Sequence, residues 1–185
     1  LQKGVHEVIG SEEPQGWDSQ LPNEPIVNID YTAGFLLHEH RFRNVGTFRA
    51  IPIFGGGVGN YLVGVNAGIY GEFGWNLSDA MGFTSLHQGL NTASTIGGHP
   101  QDEFSFSVHV GIFGFGVAHY LPLDGTVFRE SRSVGSNPLI GMASAGVNMR
   151  YKSVVLSLGQ SFFTETFETQ RQNPEFGTFS FSWYF

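Results

Sequence analysis

The feature that most constrains this chain is a strict two-residue alternation: Phe179, Phe181, Trp183 and Phe185 interleave with Thr178, Ser180, Ser182 and Tyr184. Neighbouring side chains point to opposite faces in an extended strand, so this segment reads as β with one aromatic and one polar face. Two environments suit such a strand. In a soluble sandwich the aromatic face meets a core; in a membrane barrel it meets lipid, and the small polar residues face the lumen.

Length separates the two, because a tilted strand needs about 9 to 11 residues to cross a bilayer, whereas soluble strands usually have about five or six. The alternation recurs in long segments. Tyr61, Val63, Val65, Ala67, Ile69 and Phe73 oppose Gly64, Asn66, Gly68, Tyr70 and Glu72. Leu139, Ala143, Ala145, Val147 and Met149 oppose Ser144, Gly146, Asn148 and Arg150, and Val154, Leu156, Leu158 and Phe162 oppose Ser157, Gly159 and Ser161. The pattern predicts seven strands, at 27–39, 46–58, 60–75, 103–120, 138–151, 153–167 and 175–185. The fold class expected is all-β, an antiparallel transmembrane β-barrel. Bacterial single-chain barrels have even strand numbers, so seven leaves at least one strand missing.

Composition agrees. Among 185 residues there are 26 Gly and 18 Phe with only 14% charged residues, which excludes disorder and a helical bundle rich in Ala, Leu, Glu and Lys. A net charge of −7 offers no basic stripe for phosphates, so nucleic acid is not an expected partner. The absence of cysteine excludes disulfides and thiolate metal sites. No run of about 18 apolar residues exists, so no membrane helix is expected, which leaves membrane strands open.

With the last strand running toward the periplasm, loops 168–174 and 121–137 and residues 1–26 lie outside. Gly55–Asn60 then forms an outer hairpin, and His40–Val45 and Tyr151-Lys152 form periplasmic turns. Residues 76–102 become a long periplasmic connection, where short turns are the rule. The whole chain, 1–185, reads as part of one barrel domain, with a helix and loop over 1–26 and strands over 27–185. It opens without an initiator Met, a basic n-region or an apolar h-region, and is expected to be a fragment or a processed chain.

Segment 1–26 holds the candidate chemistry. LQKGVHEVIG reads as a helix on which Gln2 and His6, at i and i+4, share a face, with Gly10 as its stop. His6 is either a general base, with an imidazole that titrates near neutrality and Gln2 as its partner, or a solvated residue on a short helix. The prolines at 14, 22 and 25 make the remainder a loop. Gly55-Gly56-Gly57-Val58-Gly59 is not followed by a helix and reads as a hairpin, not a phosphate cradle. His38 and His40 share a strand face beside Arg41 and Arg43, where an interfacial basic turn is the better reading than a metal site. His109 and His119 are expected to face the lumen.

Val5-His6-x-x-Ile9-Gly10-Ser11, followed by Pro14-x-Gly16-Trp17-Asp18-x-Gln20-Leu21 and Asn23-Glu24-Pro25, resembles the outer-membrane lipid A 3′-O-deacylase family, LpxR. Ile51-Pro52, Gly59-Asn60, Ala67-Gly68 and Phe128-Arg129-x-Ser131-x-Ser133-Val134 extend the similarity along nearly the whole chain; Ser19 departs from the family's usual Asn. The resemblance implies a twelve-stranded barrel in the bacterial outer membrane, acting as a monomer on lipid A within lipopolysaccharide. It implies a calcium-dependent esterase that removes the 3′ acyloxyacyl chain. His6 corresponds to the family's catalytic base and Gln2 to the glutamine four residues before it. The family's calcium-associated Asn-Asp cluster lies on a first strand that this chain lacks, so no metal ligand is expected here. Five missing strands and these seven make twelve, and the 185 residues alone are expected to be inactive. Arg129 and Arg132, in the outer loop, are candidates for holding lipid A phosphates. The alternative class is a non-catalytic barrel, a pore or a structural protein; a soluble β-sandwich binding module is a third.

Overall fold

The computed structural model describes residues 21–77, 81–83, 94–96 and 101–183, with backbone only for 81–83, 94–96 and 101–103. Its strands are β1 (Asn28–Gly34), β2 (His38–Phe42), β3 (Gly46–Gly59), β4 (Leu62–Trp75), β5 (Met81–Phe83), β6 (Ser94–Ile96), β7 (Gln101–Tyr120), β8 (Leu139–Lys152), β9 (Val154–Phe163) and β10 (Glu175–Trp183). One antiparallel sheet runs β1-β3-β4-β7-β8-β9-β10, with β2 also paired to β3. Since β1 and β2 lie end to end along β3, they form one interrupted strand, and the sheet has the seven expected rows.

The interruption has a cause in the sequence. Gly34 pairs with Ile53 and His38 with Ala50, so 35–37 hold one residue more than the stretch of β3 they face. Pro52 sits opposite: its carbonyl accepts the Phe35 N–H at 3.3 Å, but its ring nitrogen has no hydrogen to return. The first turn comes later than the sequence suggests, at 43–45, with β2 continuing to Phe42. The tight turn expected at Tyr151-Lys152 lies at Lys152-Ser153, one residue further on.

The glycine-rich run is a strand rather than a hairpin. Gly55, Gly56 and Gly57 pair on one side with Thr32, Tyr31 and Asp30 and on the other with Asn66, Val65 and Gly64. Two flanking ladders outweigh glycine's preference for turns, and the chain reverses only at Asn60-Tyr61. The long connection after β4 stands, because β4 and β7 pair directly; the β5–β6 ribbon lies within it.

The sheet is inside out relative to a soluble protein. On β4 Val65 is 67% exposed while its neighbour Asn66 is 6% exposed, and Ile69 and Phe73 point outward while Tyr70 and Glu72 are buried. The outward face of β7 carries Phe104, Phe106, Val108, Val110 and Ile112, and that of β10 carries Phe179, Phe181 and Trp183. At about 3.3 Å per residue and a tilt near 40°, a 14-residue strand such as β4 rises about 33 Å, enough for an apolar band about 25 Å tall.

The inner face differs from the small polar surface expected of a lumen. Its centre is an apolar layer of Ile51, Ile53, Tyr70, Phe113, Met142 and Phe163. Glycines make room for it: Gly68 pairs with Phe113, and a β-carbon on Gly68 would run into that ring. Beside this layer, toward the tight turns, lie the buried Arg49, Glu72, Ser107, His109 and Arg150. Ser107 Oγ donates to Glu72 at 2.6 Å, and Asn148 Nδ2 lies 3.2 Å from His109 Nδ1. The His109 ring stacks on Tyr70, which confirms its inward position.

Candidate functional site

The end of the sheet opposite the turns at 43–45 and Lys152-Ser153 gathers loops 121–138 and 164–174, the Asn60-Tyr61 turn and the approach segment 21–27, while the long connection after β4 lies at the other end. Loop 121–138 starts with a single helical turn, α1 (Leu121–Asp124), that has Pro122 near its start, where a missing N–H does no harm. Asp124 then ties the loop to itself. Its carboxylate accepts from the Tyr120 N–H at 2.6 Å, the Ser136 N–H at 2.7 Å and the Ser136 hydroxyl at 2.7 Å. Burial works to raise its pKa, but these donors prevail and hold it below the usual carboxylate range.

Glu24 connects three segments. Its carboxylate accepts from Asn60 Nδ2 at 2.8 Å, from the Phe128 N–H at 3.2 Å and from the Val127 N–H at 3.4 Å. Asn60 completes the tie, taking the Val27 N–H at 2.7 Å and donating to the Pro25 carbonyl at 2.7 Å. Desolvation opposes the charge on Glu24, yet the donated hydrogen bonds, led by Phe128, lower its pKa overall. His119 joins from β7, its Nε2 3.3 Å from the Asn60 carbonyl.

Arg129 and Arg132 are both exposed on this loop. The Arg129 carbonyl is held by Thr126 Oγ1 at 2.8 Å, and Ser131 Oγ accepts the Thr126 N–H at 2.8 Å, so the backbone carrying both arginines is fixed while their side chains face outward. His6 and Gln2 lie outside the described residues. Glu24 and Asn60 had no role assigned from the sequence, although each sits in a stretch quoted for the family resemblance; their meeting across 36 residues needed the fold.

The described residues do not fit a calcium cage. Among them no three His, Asp or Glu side chains converge. Both Asp30 oxygens accept from Asn28 Nδ2 at 2.9 Å, and both Glu24 oxygens are engaged by N–H donors, so neither carboxylate is directed at a shared point.

The family model described as outer membrane protein LpxR matches residues 1–185. Among solved structures, LpxR from Salmonella typhimurium matches with a TM-score of 0.78 at 18% identity, over 100% of this chain and 60% of that one. At that identity the likeness speaks for the fold. This chain therefore spans 60% of the length of the structure it resembles. No curated protein matches it.

Proposed function

Because this chain belongs to the LpxR family of outer-membrane proteins, we propose that it forms the larger part of a lipid A 3′-O-deacylase, with loops 121–138 and 164–174 outside the cell and the turns at 43–45 and Lys152-Ser153 in the periplasm. His6 acts as the general base that takes a proton from the attacking water. Gln2, four residues earlier in the chain, positions the imidazole or the water by hydrogen bonding. Arg129 and Arg132 hold the substrate's phosphates by charge-assisted hydrogen bonds. A calcium ion would draw its ligands from outside the described residues.

The observation that carries this reading is the tie at Glu24. The family match begins at residue 1 and so includes the Val5-His6 motif, and the segment that follows the motif is bonded through Glu24 to the loop carrying Arg129. A pore is the weaker reading, because an apolar layer of Ile51, Tyr70, Phe113 and Phe163 crosses the centre of the described inner face, where a water channel would be polar. A soluble sandwich is opposed by the apolar outer face and the buried Arg49, Glu72 and His109.

The test is mass spectrometry of lipid A from cells expressing the whole protein with calcium present. Loss of the 3′ acyloxyacyl group is expected, and His6→Ala should slow it by about 10²- to 10⁴-fold. Unchanged lipid A from folded, membrane-inserted unsubstituted protein would overturn the enzyme reading in favour of a structural barrel. Arg129→Ala should raise KM with kcat nearly constant; an unchanged KM would remove Arg129 from the substrate contact.

A further inference from the structure

The outward face of β7 changes character near its loop end. Phe104, Phe106, Val108, Val110 and Ile112 are all large, and the next two residues in the same row are Gly114 and Gly116. The neighbouring strands step down with it, since Gly114 pairs with Ala67 on β4 and with Gly141 on β8. Where adjacent strands lose their outward side chains at one level, the wall sinks to its backbone.

The result is a walled hollow of about 580 Å³, within the roughly 300–1,000 Å³ of ligand sites. Val65 and Leu139, 67% and 78% exposed, stand on either side of Gly116 at its loop end. Ile112 stands below it on β7. Thr164 closes the β9 side: its hydroxyl accepts the Gly141 N–H at 2.9 Å, and its methyl lies 3.1 Å from where a β-carbon on Gly141 would be. Asn66, Phe115 and Ile140 border the floor through their backbones, because their side chains belong to the inner face. A β-carbon on Gly114 would meet nothing within 4 Å, so the space is open.

Its place in the fold selects the occupant. The hollow lies on the lipid-facing wall and opens directly under loop 121–138, which leaves β7 at Tyr120 and enters β8 at Leu139. That loop carries Arg129 and Arg132, both exposed. An acyl chain gains little by exchanging other acyl chains for an apolar wall, so any preference comes from fit and from the headgroup. A glycine floor shared by three strands, about 10 Å between the outer two at about 4.8 Å per spacing, lets a straight saturated chain approach the backbone. Guanidinium groups on the loop above suit phosphates.

We propose that this hollow seats the sugar-proximal stretch of a saturated acyl chain of lipid A, the molecule whose phosphates Arg129 and Arg132 take. The proposal rests on the reading above for the ligand of the arginines and for the loop's place outside the cell.

The experiment uses the whole protein carrying His6→Ala, so that the lipid stays intact, in vesicles with a small fraction of lipid A in both leaflets that bears a diazirine near the ester end of its acyl chains. After illumination, adducts at Val65, Ala67 and Leu139 are expected about tenfold above those at Ile29 and Val58, which are 71% and 62% exposed at the same end of the outward face. Gly114→Leu, placed where a β-carbon meets nothing, should fill the hollow and bring the adducts down to the level of Ile29 and Val58. Equal labelling of the two sets of positions with Gly114 in place would overturn the proposal without recourse to that variant. Equal enrichment from phosphatidylcholine bearing the same diazirine would overturn the assignment to lipid A. Labelling needs no ester cleavage, so enrichment in the hollow, beside unsubstituted protein that leaves lipid A whole, would retain this site and remove only the enzyme reading.

Discussion

Ile112 and Phe113 are adjacent on β7, are both large and apolar, and have opposite surroundings. Ile112 is 69% exposed on the outer face, whereas Phe113 is 4% exposed in the apolar layer at the centre of the inner face. In water the first would be a liability; in a bilayer it is solvated by acyl chains, and only the second contributes by packing. The outer wall is therefore specified by general apolarity and the inner wall by shape, with Gly68 and Gly111 leaving space around one ring.

The largest effect that can break this comparison is truncation. Phe113→Ala should cost about 3–5 kcal/mol in reversible unfolding from vesicles, because it opens a cavity in a packed layer. Ile112→Ala opens no cavity, because lipid fills the space, and should cost only the lipid-to-water transfer of the lost carbons, about 2 kcal/mol. Similar losses at the two positions would deny that the faces differ.

A charge tests the same outer face more gently. Val110→Arg should destabilise by about 2–4 kcal/mol if Val110 lies near the bilayer midplane, while Trp75→Arg, at the interface, should cost at most about 1 kcal/mol. Equal penalties would remove the membrane depth assigned to β4 and β7. Inside, Ser107→Ala strips Glu72 of its 2.6 Å donor and should cost about 1–3 kcal/mol.

The smallest effect concerns the loop tie and depends on pH. The Glu24 pKa is lowered from 4.5, so the carboxylate's contribution is complete above that value and is lost as pH falls through the lower folded value. Amide exchange at Val127 and Phe128 should accelerate below about pH 4.5, and Glu24→Gln should reproduce the acceleration at neutral pH. Exchange independent of pH beyond its intrinsic chemistry would mean that Glu24 does not hold the loop.

The outer wall was the legible part of the sequence. Its period-two runs gave the row count and nearly every strand, since lipid asks only for alternation over sufficient length. The inner wall was less legible: Phe113, Met142 and Phe163 join Tyr70 across four strands, and alternation alone does not show that apolar residues at these positions meet. Turn positions shifted by one to three residues, because Pro52 and the ladder around Gly55–Gly57 act through partners on other strands. At the loop end the motif residues Glu24 and Asn60 were visible but their bond was not, whereas Arg129 and Arg132 were found on the loop expected.

The most direct test of the inverted wall uses the natural absence of cysteine. Single cysteines at each position from 104 to 113, spin-labelled in vesicles, report collisions with oxygen in lipid and with a water-soluble nickel chelate. Oxygen access should alternate with a period of two and peak at the even positions, Phe104, Phe106, Val108, Val110 and Ile112. Absence of alternation, or nickel access at those even positions, would contradict a lipid-facing wall and with it the membrane barrel.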